Sequence, residues 1–353
     1  MKVILISTTP PPMGGIAKWT QRMLAEELPD GWSIDLVDSG IVGKREPFGD
    51  NIKYNIVDEI KRWMRVWAHL IKECLKKDAP IVHACPIATR NSMIVNIVSA
   101  CISILCKKKY IAHFRCTVPN LVKTKTQLIL LKVLCKLSHR IIALNEQTSN
   151  FLKKNTCTSV VNIPNFVDLK ETVTEKIINE KISTILYVGG VTKEKGCDDI
   201  IEVARLLPNI NFRLVGKISS DILKMAEGLN NISFLGVLGK QDVFHEMNNA
   251  DVFLFLSKFW GEGFSNAVAE AMASGLPCIV TNWAANADQI DHLYGGIVVG
   301  EDIVDDTVCA IKKMQDKSTR TSYSKYNIQK VFKQYSSRII IRQYVDIYNN
   351  LLC

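Results

Sequence analysis

The chain has 353 residues, 47% of them hydrophobic and 22% charged, with a formal net charge of +9. Its 30 Gly and Pro residues and the lack of a low-complexity tract exclude disorder, and its length fits two globular domains of about 150 residues each. Eleven scattered cysteines, with no C-x-x-C pair and no secretory leader ahead of them, exclude a disulfide framework and are expected as reduced thiols of a cytoplasmic protein.

Met1–Ser7 is too short for a signal sequence and runs into Pro10-Pro11-Pro12, so it is predicted as a first strand. With the amphipathic stretch near Ala17 to Leu28 it makes a βα unit. Further β-branched runs at Ile81–Ala84, Tyr110–Phe114 and Ile141–Leu144 are separated by helix-length segments. The longest apolar run, Ser92–Cys106, falls short of the roughly 20 residues a spanning helix needs and is predicted as a buried helix. A charged stretch between Leu169 and Ser183 breaks the alternation, which restarts with Thr184–Val188, Phe212–Val215, Ile232–Leu235, Val252–Leu256 and Cys278–Thr281. Tyr335–Leu352 closes the chain as a helix. The pattern predicts an α/β protein of two doubly wound, parallel-sheet (Rossmann-like) domains. Their expected limits are 1–169 and 170–335, with a final helix at about 336–353. Ligands of such sheets bind at the carboxyl ends of the strands, so both domains are expected to face a cleft.

Charge is unevenly placed. Residues 1–169 carry 24 Lys and Arg against 13 Asp and Glu, and the remainder carries 20 against 22. The basic stretches Lys61 to Lys77 and Lys123 to Arg140 mix cations with apolar residues at helical spacing, which suits either an anionic membrane surface or solvated helix faces. No nucleic-acid motif accompanies the charge, and no nucleic-acid partner is expected.

The most informative segment runs from Phe259 to Pro277. It offers a Gly-flanked turn after an apolar strand, then an Ala-rich helix, then a stop at Gly275 and Pro277. Backbone amides at Phe264, Ser265, Asn266 and Ala267 open that helix and form an anion site suited to a diphosphate. Glu262 sits in the turn beside Gly263, and Glu270, two turns on, is placed to accept hydrogen bonds from sugar or ribose hydroxyls. Gly14-Gly15 is not a G-x-G-x-x-G fingerprint, yet a Gly-Gly turn brings amides close to a phosphate. Gly216, at a strand end, permits close backbone approach. His83 and His113 lie at predicted strand ends, and no metal-ligand cluster is evident.

The pattern E-G-F-x-N-x-x-x-E-A-M-A-x-G-x-P from Glu262 to Pro277 resembles the donor-site signature of retaining GT-B glycosyltransferases of family four (glycosyltransferase group 1). Pro164-Asn165-Phe166-Val167-Asp168 is similar to the P-N-G-V-D segment of that family, with Phe166 at the Gly position. Val188–Gly196 is similar to its V-G-R-L-x-x-E-K-G segment, with Gly190 in place of Arg. The resemblance implies a GT-B fold whose first domain binds an acceptor, whose second binds a nucleotide-diphosphate-sugar, and whose last helix crosses back to the first. It places Glu262 by the donor sugar, Lys195 on the diphosphate with half of the cationic clamp missing at Gly190, Glu270 on the ribose, and Gly216 and Leu238 near the base. Gly14 and Gly15 would pack near the diphosphate, with His113 donating to a sugar hydroxyl and Arg115 contacting phosphate. Transfer with retention, without metal or other cofactor, to a lipid-diphosphate-linked glycan in polysaccharide (O-antigen, capsule or exopolysaccharide) assembly is the implied activity, at the cytoplasmic face of the membrane. A nucleotide-sugar 2-epimerase and a non-catalytic sugar-nucleotide-binding protein are the alternatives; the E-G-F-x-N helix start favours the transferase.

Overall fold

The computed structural model describes residues 1–11, 14–40, 56–168, 172–283 and 285–353. The chain divides into two compact units, Met1–Asn165 with Arg338–Cys353, and Phe166–Ser337. The predicted boundary at 169/170 lies outside the described residues, and the units join in sequence at Asn165 and Phe166.

In the first unit β1 (Lys2–Ser7), β2 (Ser33–Asp38), β3 (Ile81–Ala84), β4 (Lys109–Phe114), β5 (Arg140–Ala143) and β6 (Val160–Asn162) form a parallel sheet in the order β2-β1-β3-β4-β5-β6. The connecting helices are α1 (Gly15–Ala25), α2 (Ile56–Cys74), α3 (Arg90–Leu105), α4 (Val118–Leu121), α5 (Lys125–Leu137) and α6 (Glu146–Asn155). Strands covered on both faces need continuous apolar runs, which is why β1 and β3 bury nearly every side chain. The run predicted over Ser92–Cys106 is helical as far as Leu105, within α3, and Cys106 caps it. Its buried hydroxyls are satisfied locally, Ser99 donating to the Val95 carbonyl at 3.0 Å and Ser103 to that of Ser99 at 2.7 Å. Among the described residues no helix is long and apolar enough to cross a membrane, and all eleven cysteines are free thiols.

In the second unit β7 (Thr184–Val188), β8 (Asn211–Val215), β9 (Ile232–Gly236), β10 (Val252–Phe255), β11 (Cys278–Thr281) and β12 (Gly296–Val299) form a second parallel sheet, ordered β12-β11-β10-β7-β8-β9. Helices α7 (Cys197–Leu206), α8 (Ser220–Met225), α9 (Lys240–Asn249), α10 (Asn266–Ala273), α11 (Asn286–Gln289), α12 (Ile303–Lys313) and α13 (Lys317–Lys330) connect and flank these strands. The buried Asp251 carboxylate fastens the entry to this sheet. It accepts from the amides of Ser183 and Thr184 at 2.8 and 2.9 Å and from the Asn179 side chain at 2.8 Å. β2, β6 and β12, which the sequence pattern did not reveal, all lie at sheet edges.

The last helix, α14 (Ser337–Asn350), returns to the first unit. Just before it Ser336 pairs with Val167, so the two segments that join the units run side by side. Tyr344 and Tyr348 of α14 are buried, and Asn349 accepts a hydrogen bond from the Trp32 indole at 2.9 Å.

Two glycines hold the second sheet's loops close together. An ideal Cβ on Gly216 would lie 1.7 Å from the Gly189 carbonyl oxygen, and one on Gly196, at φ +71°, would lie 1.9 Å from that of Leu256. Gly31, at φ +70°, has open space instead. Gly196→Ala should therefore cost about 2–4 kcal/mol in a urea-unfolding measurement, combining left-handed strain with a backbone collision. Gly31→Ala, which meets only the strain, should cost about 1–2 kcal/mol.

Candidate functional site

In the second sheet the chain order reverses between β7 and β10, and an open parallel sheet offers its ligand crevice at such a point. The loops that leave these strands are joined there by the Lys258 amide, which donates to the Glu194 carbonyl at 3.0 Å. Lys195 and Glu262, 67 residues apart in sequence, meet in an ion pair of 2.5 Å. Their side chains are 25% and 13% exposed, so the pair lies at a recessed surface where solvent still reaches it. The Lys195 ammonium also sits 4.3 Å from the centre of the Phe259 ring, and Ser257 donates to Glu262 at 3.4 Å. A cation and a hydrogen-bond-accepting carboxylate are thus held together.

α10 opens beside this pair. Ser265 is its N-cap, accepting from the Val268 amide at 3.3 Å. The buried Gln289 grips the Ser265 peptide from both sides, its oxygen accepting from the Ser265 amide at 2.7 Å and its nitrogen donating to the Ser265 carbonyl at 2.9 Å. Of the four amides from Phe264 to Ala267 expected to form the anion site, the one at Ser265 is therefore already bonded to protein. Asn266 and Ala267 form the first positions of the helix, preceded by Gly263 and Phe264, and Glu270 is buried on α10. Gly190, Gly216 and Leu238 follow β7, β8 and β9. The sites predicted in this unit therefore follow four adjacent strands. A Cβ on Gly190 would meet nothing within 4 Å, so the missing Arg leaves space there. No sequence signal marked Gln289, which comes from α11 and acts only through tertiary proximity.

Gly14, Gly15, His113 and Arg115 belong to the first unit. Gly14 is the N-cap of α1 and Gly15 its first residue. His113 does not fit its expected role of donating to a sugar hydroxyl, since it is fully buried and both ring nitrogens are engaged. The Arg115 guanidinium donates to His113 Nε2 at 3.3 Å, so neutral His113 carries its proton on Nδ1 and donates to His83 Nε2 at 3.1 Å. His83 then donates from Nδ1 to the Tyr348 hydroxyl at 2.7 Å. Arg115 is itself 6% exposed, bonded to Asn165 and stacked 3.9 Å over Trp19, so it contacts protein groups where a phosphate contact was expected. The ligand atoms of His83, Cys85 and His113 lie within 4.8 Å of one another. The ring nitrogens are already bonded and the adjacent guanidinium opposes a second cation, so this cluster is a poor metal site.

Two all-parallel, doubly wound units, one carrying a cation and carboxylate beside a helix N-terminus, define a GT-B type of α/β protein. Residues 170–330 match the model of the Glycosyl transferases group 1 family. It is 26% identical over 237 residues to the N-acetyl-alpha-D-glucosaminyl L-malate synthase of Bacillus anthracis, covering 62% of this chain and 60% of that protein. It is 26% identical over 189 residues to the capsular polysaccharide biosynthesis glycosyltransferase CapM of Staphylococcus aureus, covering 50% and 48%. It is 25% identical over 243 residues to the N,N'-diacetylbacillosaminyl-diphospho-undecaprenol alpha-1,3-N-acetylgalactosaminyltransferase of Campylobacter jejuni, covering 63% of each. The chain thus spans less than two thirds of these relatives' length. Its fold is similar to the structure of Anabaena HepE in complex with UDP, with a TM-score of 0.76, 14% identity and 99% of both chains covered.

Burial, with help from the nearby Arg115, holds His83 down to about 3, and burial pushes His113 well below its ordinary value of 6.5. Unfolded histidines bind protons below about 6.5 while these two stay neutral in the folded protein. Their contribution to stability is therefore full above that value and lost as pH falls. Urea unfolding at pH 7, 6 and 5 should show a decline approaching about 1.4 kcal/mol per pH unit for each histidine, and His83→Phe should reduce its slope by about half.

Proposed function

We propose that the protein is a retaining glycosyltransferase that moves a sugar from a nucleotide-diphosphate-sugar to a lipid-diphosphate-linked glycan in polysaccharide assembly. The Lys195–Glu262 pair beside the start of α10 is the observation that carries this reading. As the bond from sugar to diphosphate breaks, negative charge grows on the leaving oxygen. Lys195 and the first amides of α10 are placed to take up that charge without reorganising, which lowers the barrier. Glu262 then exchanges part of its bond to Lys195 for hydrogen bonds from sugar hydroxyls, and Glu270 accepts from the ribose. A leaving group held in this way requires no divalent cation. Retention follows if the acceptor hydroxyl attacks from the face that the diphosphate leaves.

The names of the S. aureus and C. jejuni relatives support polysaccharide synthesis and a diphospho-undecaprenol acceptor respectively. The basic first unit supports work at an anionic membrane surface. The 2-epimerase reading has no use for an acceptor, so nucleotide diphosphate released only when acceptor is added separates the two.

A thermal-shift panel of UDP-, GDP-, dTDP- and ADP-sugars should show selective stabilisation by one base. Lys195→Ala should lower kcat/KM by about 10²-fold or more with little change in Tm, and full activity in both this variant and Glu262→Ala would overturn the assignment. A Cβ at Gly190 stands in open space, and Gly190→Arg should enlarge the shift given by the preferred donor.

A further inference from the structure

We infer that Trp260 and Trp283 are specificity residues that hold the donor's sugar by the C–H face of its ring, and that this sugar is a neutral pyranose. This inference rests on the transferase reading, which places a sugar at Glu262, and adds the residues that select it. The chain has six tryptophans, and only these two belong to the second unit. Trp19 and Trp32 are buried and Trp63 and Trp67 half-buried, whereas Trp260 and Trp283 are 51% and 45% exposed. They follow β10 and β11, adjacent strands of a parallel sheet, and so stand at the edge where such a sheet takes its ligands.

The backbone fixes both positions. The Glu262 amide donates to the Phe259 carbonyl at 3.1 Å, closing a four-residue turn with Trp260 and Gly261 at its tip. Gly261 lets the Phe259 ring fold back over the turn, since an ideal Cβ there would lie 2.7 Å from a ring carbon. The Phe259 ring then meets the Lys195 ammonium, 4.3 Å from its centre, and the tilted Trp260 ring, with 5.4 Å between ring centres. A cation, two aromatic rings and the Glu262 carboxylate thus meet at one turn. On the neighbouring loop the buried Asn286 donates from its amide to the Trp283 carbonyl at 3.1 Å and from its side chain to the Ser257 carbonyl at 3.2 Å. Thr281 donates to that same Ser257 carbonyl at 2.8 Å. The Ser257 hydroxyl is the one that donates to Glu262, so buried bonds fasten the loop of Trp283 to the loop of Glu262.

A pyranose carries hydroxyls around its edge and C–H bonds on its faces. A carboxylate accepts from the hydroxyls, and an indole face takes the C–H bonds. Single exposed aromatic residues are ordinary, but two half-exposed indoles on adjacent loops, continuous with a carboxylate and a cation, match the aromatic walls and few polar groups of a small-ligand site. The charge of the site selects among sugars. Aromatic faces are negative, as is Glu262. Lys195 is engaged by Glu262 and, in the transferase reading, by the diphosphate, while Lys258 is held by Asp199 at 2.6 Å. A sugar with a carboxylate of its own would therefore meet negative charge, and a neutral ring would not. A nucleobase would also stack on the two indoles, and free nucleoside diphosphate tells that occupant from the sugar.

Three probes are titrated into the full chain by calorimetry and tryptophan emission: the nucleotide-sugar that gives the largest thermal shift, its free nucleoside diphosphate, and a uronic acid derivative of the same nucleotide. The nucleotide-sugar should quench emission well beyond the free nucleoside diphosphate, and the Trp260→Phe, Trp283→Phe double variant should bind it without that extra quench. Trp260→Ala and Trp283→Ala should each weaken the nucleotide-sugar about five- to tenfold and leave the free nucleoside diphosphate within about twofold. The uronic acid derivative should bind about tenfold more weakly than the neutral sugar. Equal weakening of the free nucleoside diphosphate would make the rings a base platform or part of the framework, unchanged binding of the nucleotide-sugar would leave them out of the site, and equal or tighter binding of the uronic acid derivative would admit a charged sugar; each overturns the inference. Binding of the free nucleoside diphosphate draws on Lys195 and α10 and not on the two rings, so its persistence in the Ala variants keeps failure here distinct from failure of the transferase reading.

Discussion

Gly196 lies so close to the Leu256 carbonyl that no side chain fits between them, and this contact sets the distance between the loops leaving β7 and β10. A second close approach, of Gly216 to the Gly189 carbonyl, does the same between the ends of β7 and β8. Parallel strands deliver all their carboxyl ends to one edge of a sheet, but that alone leaves the loops free to splay. With the backbones in contact, a lysine on one loop and a glutamate on the other can form an ion pair of 2.5 Å. At a partly exposed surface such a pair contributes little stability. Its value lies in holding a cation and an acceptor at fixed positions beside the start of α10.

The first unit is organised around buried polarity. Arg115, His113, His83 and Tyr348 form a directional hydrogen-bond chain in which each partner's role follows from the arginine's inability to accept. An arginine buried there is costly unless it is partnered, and His113 and Asn165 each accept from the guanidinium while its face lies against Trp19. Tyr348 belongs to α14, so the same chain fastens the returning C-terminal helix to the sheet. A histidine read from its strand-end position as a ligand group is, in this setting, part of the framework.

The strands flanked by neighbours on both sides were legible because full burial demands continuous apolar runs such as Val3–Ile6 and Val252–Leu256. Those missed, β2, β6 and β12, are edges. Ser33–Asp38 alternates with acidic residues, Val160–Asn162 has three residues, and Gly296–Val299 opens on glycine, so none shows that signature. The start of α10 was legible in its N-cap and Ala-rich run, since capping is a local matter of a few residues. The use of the Ser265 amide by Gln289 was not, because it depends on a side chain 24 residues away.

Local patterning by itself determined two α/β domains, the strand–turn–helix that carries Glu262 and Glu270, and the concentration of positive charge in the first domain. These follow from period, capping and composition, which act over a few residues or sum over many. Only the tertiary structure decided that Lys195 pairs with Glu262 and that His113 is spent within the core. Each depends on which segments distant in sequence pack together, and burial and hydrogen bonding set the state of a side chain only once that packing exists.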